Sequence, residues 1–239
     1  MARETPARAT GRAAATTSAR ADAARAETPA VTPGRPLAGH GLEPALALLE
    51  LDSIAVGIAA GDAMAKRSPV DVLHAGTVHP GRYLVLVGGA VADVEEALAA
   101  GCEVGEGSVL DVVLLPGVDP QVVDALRGVR RAGEGEALGI VEAATVASVI
   151  DAADAGVKGA QVRIMELRIA DDLGGKAYVL FDGRVSDVEA AVEHGLHRAS
   201  SAERPSGRVV GRVVSQLHGA MRANLQGDAR FAARLRGEG

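Results

Sequence analysis

Residues 81–101 read GRYLVLVGGAVADVEEALAAG, and residues 175–195 read GKAYVLFDGRVSDVEAAVEHG. At this spacing of 94, Gly81, Val85, Leu86, Gly89, Val91, Asp93, Val94, Glu95, Ala97 and Gly101 recur as Gly175, Val179, Leu180, Gly183, Val185, Asp187, Val188, Glu189, Ala191 and Gly195. Upstream, a spacing of 92 matches Ala45, Leu46, Glu50, Ala55, Asp62, Lys66 and Val70 with Ala137, Leu138, Glu142, Ala147, Asp154, Lys158 and Val162. Two residues were gained between these blocks in the second copy. All three lysines fall on repeat positions, Lys66 with Lys158 and Lys176 with Arg82. An internal duplication decides the architecture before any motif is weighed.

Within the first copy, Ala45 to Leu51 is an apolar run of strand length, and Ser53 is placed to cap a helix ending near Arg67. Val70 to Thr77 is β-branched, Pro80-Gly81 breaks it, and Tyr83 to Val87 forms a second strand. Gly88-Gly89 turns the chain into a helix from Val91 to Ala100, with Asp93 and Glu95 where the helix dipole favours negative charge. Val109 to Leu115 supplies the last strand. The second copy predicts strands at Leu138–Glu142, Gln161–Ile169, Ala177–Phe181 and Val209–Val214, with helices at Val146–Val157 and Ser186–His197. An Arg-rich closing helix is expected to carry Leu217, Met221 and Leu225 on one face. The fold class is α+β: two tandem ferredoxin-like βαββαβ domains, residues 42–132 and 133–226, each an antiparallel sheet with helices on one face.

Residues 1–41 hold scarcely any large apolar side chain, so they cannot offset the entropy of ordering and read as a solvated arm. Their Arg-rich start also has the character of a transit peptide, against which Glu4, Asp22 and Glu27 argue. Residues 227–239 form a tail. No apolar stretch approaches the roughly 18 residues of a membrane span, so no membrane partner is expected. Aromatic residues are 2% with no Trp, and the net charge is −6. Base-stacking platforms and a phosphate-binding surface are therefore not expected, and nucleic acid is set aside as a partner. The single cysteine, Cys102, excludes an intrachain disulfide framework and any site needing several cysteines of one chain.

Chemical motifs fail one by one. Gly88-Gly89 lacks the third glycine of a dinucleotide-binding turn. Gly174-Gly175-Lys176 has Ala177 where a phosphate-binding loop needs Ser or Thr, so the glycines serve a tight turn. The six histidines are scattered, and no acid, base and nucleophile cluster is evident. Asp62 with Lys66, and Asp154 with Lys158, have the favourable acid-then-base spacing of a solvated helical pair. The chain is not expected to be an enzyme.

Several stretches together carry a resemblance: Leu49 to Ala55, Gly61 to Lys66, Thr77 to Arg82, Gly139 to Glu142 with Ala152 to Asp154, and Gly174 to Lys176 with Ser186 to Val188. Across about Ala45 to Leu225 the chain resembles bacterial microcompartment shell proteins of the tandem-domain, trimer-forming class found in propanediol-utilising microcompartments. The resemblance implies a non-enzymatic homotrimer that closes as a pseudohexamer. It also implies packing with hexameric and pentameric shell proteins, and with encapsulated enzymes as further partners, in a shell within the bacterial cytoplasm. The unpermuted strand order matches the single-layer subclass, so stacked double trimers are not expected.

The family's pore loops carry over onto Val78, His79, Pro80 and Gly81 in the first copy and Asp171, Asp172, Leu173, Gly174 and Gly175 in the second. They line a central pore passing metabolites, cofactors, or electrons and metal. Glycines let backbones crowd an axis, and the aspartates favour cations or neutral polar metabolites over anions, unless they simply decorate an exposed turn. In the class prototype the residue before Pro-Gly is a cysteine, and three such cysteines hold an iron–sulfur cluster on the threefold axis. Here it is His79, so that cluster is not expected and no cofactor is assigned. Three converging imidazoles suit a borderline metal such as zinc, or they form a pH-sensitive polar constriction. Lys66 and Lys158 match the family's tile-edge lysine, a contact compatible with the helical pair. The competing expectation is a ferredoxin-like regulatory module that binds a small ligand between subunits and never tiles.

Overall fold

A computed structural model describes residues 42–201 and 207–227. The arm, residues 1–41, and the tail beyond 227 lie outside the described residues. The first copy comprises β1 (Ala45–Leu51), α1 (Ile54–Arg67), β2 (Val72–Val78), β3 (Arg82–Gly89), α2 (Val91–Val104) and β4 (Val109–Leu115). A short α3 (Pro120–Leu126) leads to the second: β5 (Ala137–Ala143), α4 (Val146–Gly159), β6 (Arg163–Ile169), β7 (Ala177–Gly183), α5 (Val185–Ala199) and β8 (Val210–Ser215), closed by α6 (Gly219–Gln226). Each copy forms one antiparallel four-stranded sheet, in the order β2-β3-β1-β4 and β6-β7-β5-β8. Both copies are therefore βαββαβ units in unpermuted order, as the sequence predicts.

Ser53 caps α1, its side chain accepting the Val56 N–H at 3.4 Å. The helix α2 runs past the predicted end at Ala100 to Val104. It does so through Gly101, where an added Cβ would sit 2.6 Å from the Met64 sulfur, so the glycine lets α1 and α2 approach closely. The predicted turn at Gly88-Gly89 belongs instead to β3, and α2 starts after Ala90.

All seven residues of β1 are buried. Successive side chains point to opposite faces, so both faces are covered. Ala45, Ala47, Leu49 and Leu51 pack with Ala60, Met64, Val94 and Ala97 under the first copy's own helices. Leu46 and Leu48 face the other way and join a core with Val146, Val149 and Ile150 of α4. The second copy's first helix thus lies against the first copy's sheet, and the two copies share one apolar joint.

Sequence reading placed no helix at Pro120–Leu126. Asp119 caps it, with Oδ1 accepting the Gln121 N–H at 2.8 Å, and Pro120 occupies the first turn. Although α3 precedes residue 133, Val122, Val123 and Ala125 pack into the core shared with the second copy, because the chain must cross the joint here. The closing helix also differs from its expectation. Leu217 precedes α6, Arg222 is the one arginine within it, and Met221 is exposed while Leu217 and Leu225 pack beside Leu138, Met165 and Leu180.

Candidate functional site

The two loops singled out in the sequence are brought to one place. Val78 ends β2, Gly81 takes a φ of 93°, and its N–H donates to the Val78 carbonyl at 2.9 Å, a tight turn with His79 and Pro80 exposed at its tip. In the second copy the β6–β7 turn holds Ala170, Asp172, Gly174 and Gly175 at positive φ. Asp171 and Asp172 are exposed.

Arg82 ties the loops together. Its Nη1 donates to Glu50 Oε1 at 2.6 Å, to the Ala144 carbonyl at 3.0 Å and to the Gly175 carbonyl at 3.1 Å. A Cβ at Gly175 would fall 2.7 Å from the Arg82 guanidinium carbon, so glycine is needed both for its φ of 82° and for this approach. The other oxygen of Glu50 accepts the Val146 N–H at 2.8 Å and so holds the start of α4. Burial pushes the Glu50 carboxyl above the usual carboxylate range, against the downward pull of Arg82 and the helix N–H groups. Beside it, Asp111 Oδ2 accepts the hydroxyls of Thr145 and Ser148, burying a second polar cluster in the joint.

Sequence reading missed this Glu50 centre. Its signal was a carboxylate inside an apolar strand, repeated at Glu142, with a basic residue at each matching position, Arg82 and Lys176. The second pair is also made, Lys176 Nζ lying 2.9 Å from Glu142 Oε1, but it is solvent-exposed where the first is buried.

The edge lysines part company. Lys66 is exposed and pairs with Asp62. Lys158 pairs with Asp154 and also donates to the Gly117 carbonyl, so it lies at the junction between the copies. Among the described residues no group of three or more His, Cys, Asp or Glu is placed to hold a metal. The position before Pro80-Gly81 holds His79, and the one cysteine, Cys102, sits on α2 with its thiol pushed up by burial. The cavity beside Arg82, Thr145 and Ser148 is about 170 Å³, below the roughly 300 Å³ at which small-molecule pockets begin. No helix among the described residues is long and apolar enough to cross a membrane.

The BMC domain model matches residues 45–118 and again 137–216. The chain belongs to the BMC-domain family. It is 40% identical over 148 residues to the bacterial microcompartment shell protein PduT of Citrobacter freundii, covering 62% of this chain and 80% of that one. A solved microcompartment protein from Desulfitobacterium hafniense DCB shares 39% identity with a TM-score of 0.64, over 75% of this chain and 98% of that chain. This BMC protein is therefore a shell protein of a bacterial microcompartment, built from two tandem BMC domains.

Proposed function

We propose that this BMC protein is a non-enzymatic homotrimeric tile whose six domains close a ring around a central pore. The observation that carries this reading is an unequal pair of helices. The α4 residues Val146 and Ile150 are fully buried in the joint, whereas their repeat partners on α1, Ile54 and Ile58, are exposed, Ile58 by 56%. Val214 on β8 is likewise exposed where its partner on β4, Leu115, is buried. Each chain thus makes one joint internally and presents the two unmatched halves of a second. A head-to-tail contact between unlike surfaces generates a ring when its rotation closes, and two domains per chain closing a pseudohexamer require three chains.

In this ring the α1 N-terminus of one chain meets Glu142 of the next, as the α4 N-terminus meets Glu50. The domains run 42–132 and 133–226, with α3 as the strap between them. His79 and Asp171 to Gly175 surround the axis alternately, and three His79 imidazoles form a site for a borderline metal or a polar constriction. Lys66 and Lys158 meet neighbouring tiles, hexameric shell proteins among them, beside the contacts they make within the ring, as Lys158 does with the Gly117 carbonyl. Native mass spectrometry of the full chain tests the ring. A trimer is expected; a stable monomer or dimer overturns it and favours a discrete regulatory module.

A further inference from the structure

We infer that the C-terminal helix α6 of each chain lies across the β2 edge of the next copy, as a clasp on the ring; this rests on the trimeric reading above. The correspondence between α3 and α6 is fixed by register. Leu46 pairs with Leu115 on β1 and β4, while its repeat partner Leu138 pairs with Val214, a spacing of 99 for the segments that follow. The helix caps agree, Asp119 before α3 and His218 before α6.

Within the chain, α3 covers the β6 edge. Gln121 donates to the Val162 carbonyl at 3.4 Å and accepts the Ile164 N–H at 3.1 Å. The Asp119 N–H donates to Asp154 Oδ1 at 2.8 Å, and Lys158 donates to the Gly117 carbonyl. Ile164 and Val122 are both fully buried as a result.

Outside this joint α6 is held to its own chain through Leu217, Leu225 and Arg222, which donates to the Gly133 and Gly135 carbonyls, while the residues that match the α3–β6 contact are open. No residue of α6 is buried, and Met221, which corresponds to Val122, is 52% exposed. Leu73 faces Val87 as Ile164 faces Phe181, and these facing residues are repeat partners, so Leu73 corresponds to Ile164. Leu73 is 37% exposed, and β2 is the outer strand of its sheet. An uncovered edge strand with an apolar side chain invites pairing, and native proteins cover such edges. Asp62 and Lys66, the partners of Asp154 and Lys158, pair with each other on the surface. The clasp places them against the backbone before α6, at His218 and Gln216. Ala220 stands where Gln121 stands in α3, so the contact with β2 rests on Met221 and Leu73 rather than on an amide.

The test uses the full chain with Cys102→Ser and the pair Leu73→Cys and Ala220→Cys, treated with a short bismaleimide and run on a denaturing gel beside each single-cysteine variant. Covalent trimers in the double variant alone are expected. A native trimer whose chains do not cross-link overturns the clasp and leaves the ring standing, whereas a native monomer overturns both. As a second reading, Met221→Asp is expected to raise the dissociation constant of the trimer about tenfold with unchanged far-ultraviolet circular dichroism. An unchanged dissociation constant overturns the clasp.

Discussion

Arg82 Nη1 lies 2.6 Å from Oε1 of Glu50, and this fully buried carboxylate joins the sheet of one copy to the first helix of the other. A buried ion pair is weak evidence of net stability, but removing one partner leaves an uncompensated charge. Arg82→Ala is therefore expected to destabilise the chain by about 3–5 kcal/mol. Denaturant unfolding measures this, and a loss under ~1 kcal/mol would show that the charge finds water.

The same carboxyl sets a pH dependence. Burial raises its folded pKa above the reference value of 4.5. Between the unfolded and folded values the native state holds more protons, so the contribution to stability is full below the lower value and declines as pH rises through the higher. The melting temperature of the wild type relative to Glu50→Gln is expected to fall across that window and then level off. A difference that grows with pH contradicts the assignment.

Ile58 and Ile150 are repeat partners in opposite situations, one exposed and one fully buried. Ile58→Asp is expected to leave a folded monomer and abolish the trimer, seen by light scattering. Ile150→Asp places a charge in the joint and should prevent folding itself.

For the tile edge, Lys66→Ala removes an exposed helical pair and is expected to change chain stability by under ~0.5 kcal/mol. Lys158→Ala also loses the bond to Gly117 and should cost more. The double variant is expected to stay trimeric but to form no sheets in electron micrographs; persistent sheets remove the edge role.

In the proposed ring His79 stands at the axis, and no iron–sulfur absorption is expected in protein purified without oxygen. Zinc titration is expected to reach one equivalent per trimer in the wild type and none in His79→Ala. Equal uptake by both places any zinc elsewhere.

The eight strands and four long helices were legible because each apolar run is strand-length or helically periodic and is bounded by breakers such as Pro80-Gly81 and the cap Ser53. The short α3 escaped because seven residues carry too little periodicity, although Asp119-Pro120 marked its start. The extension of α2 past Gly101 depends on Met64, thirty-seven positions earlier, which no local pattern reports. Arg82 bonds to residues 32, 62 and 93 positions away, so its role in drawing the loops together exists only in the folded chain. The loop residues themselves stood out only through family resemblance. Their turn chemistry, Pro-Gly and Gly-Gly, says turn and nothing about an axis.

The chain that crosses from β4 through α3 to β5 makes the Glu50 joint a matter of one molecule folding, independent of concentration. In the proposed ring half the contacts are tethered in this way, so dilution acts only on the other half. The two domains are also free to diverge: in the proposed ring a substitution at His79 would alter three seats around the passage and leave the three formed by Asp171 to Gly175 untouched. Six identical domains must change all their seats together, whereas a ring of three such tandem chains, as proposed, would alternate imidazole and carboxylate around a single opening.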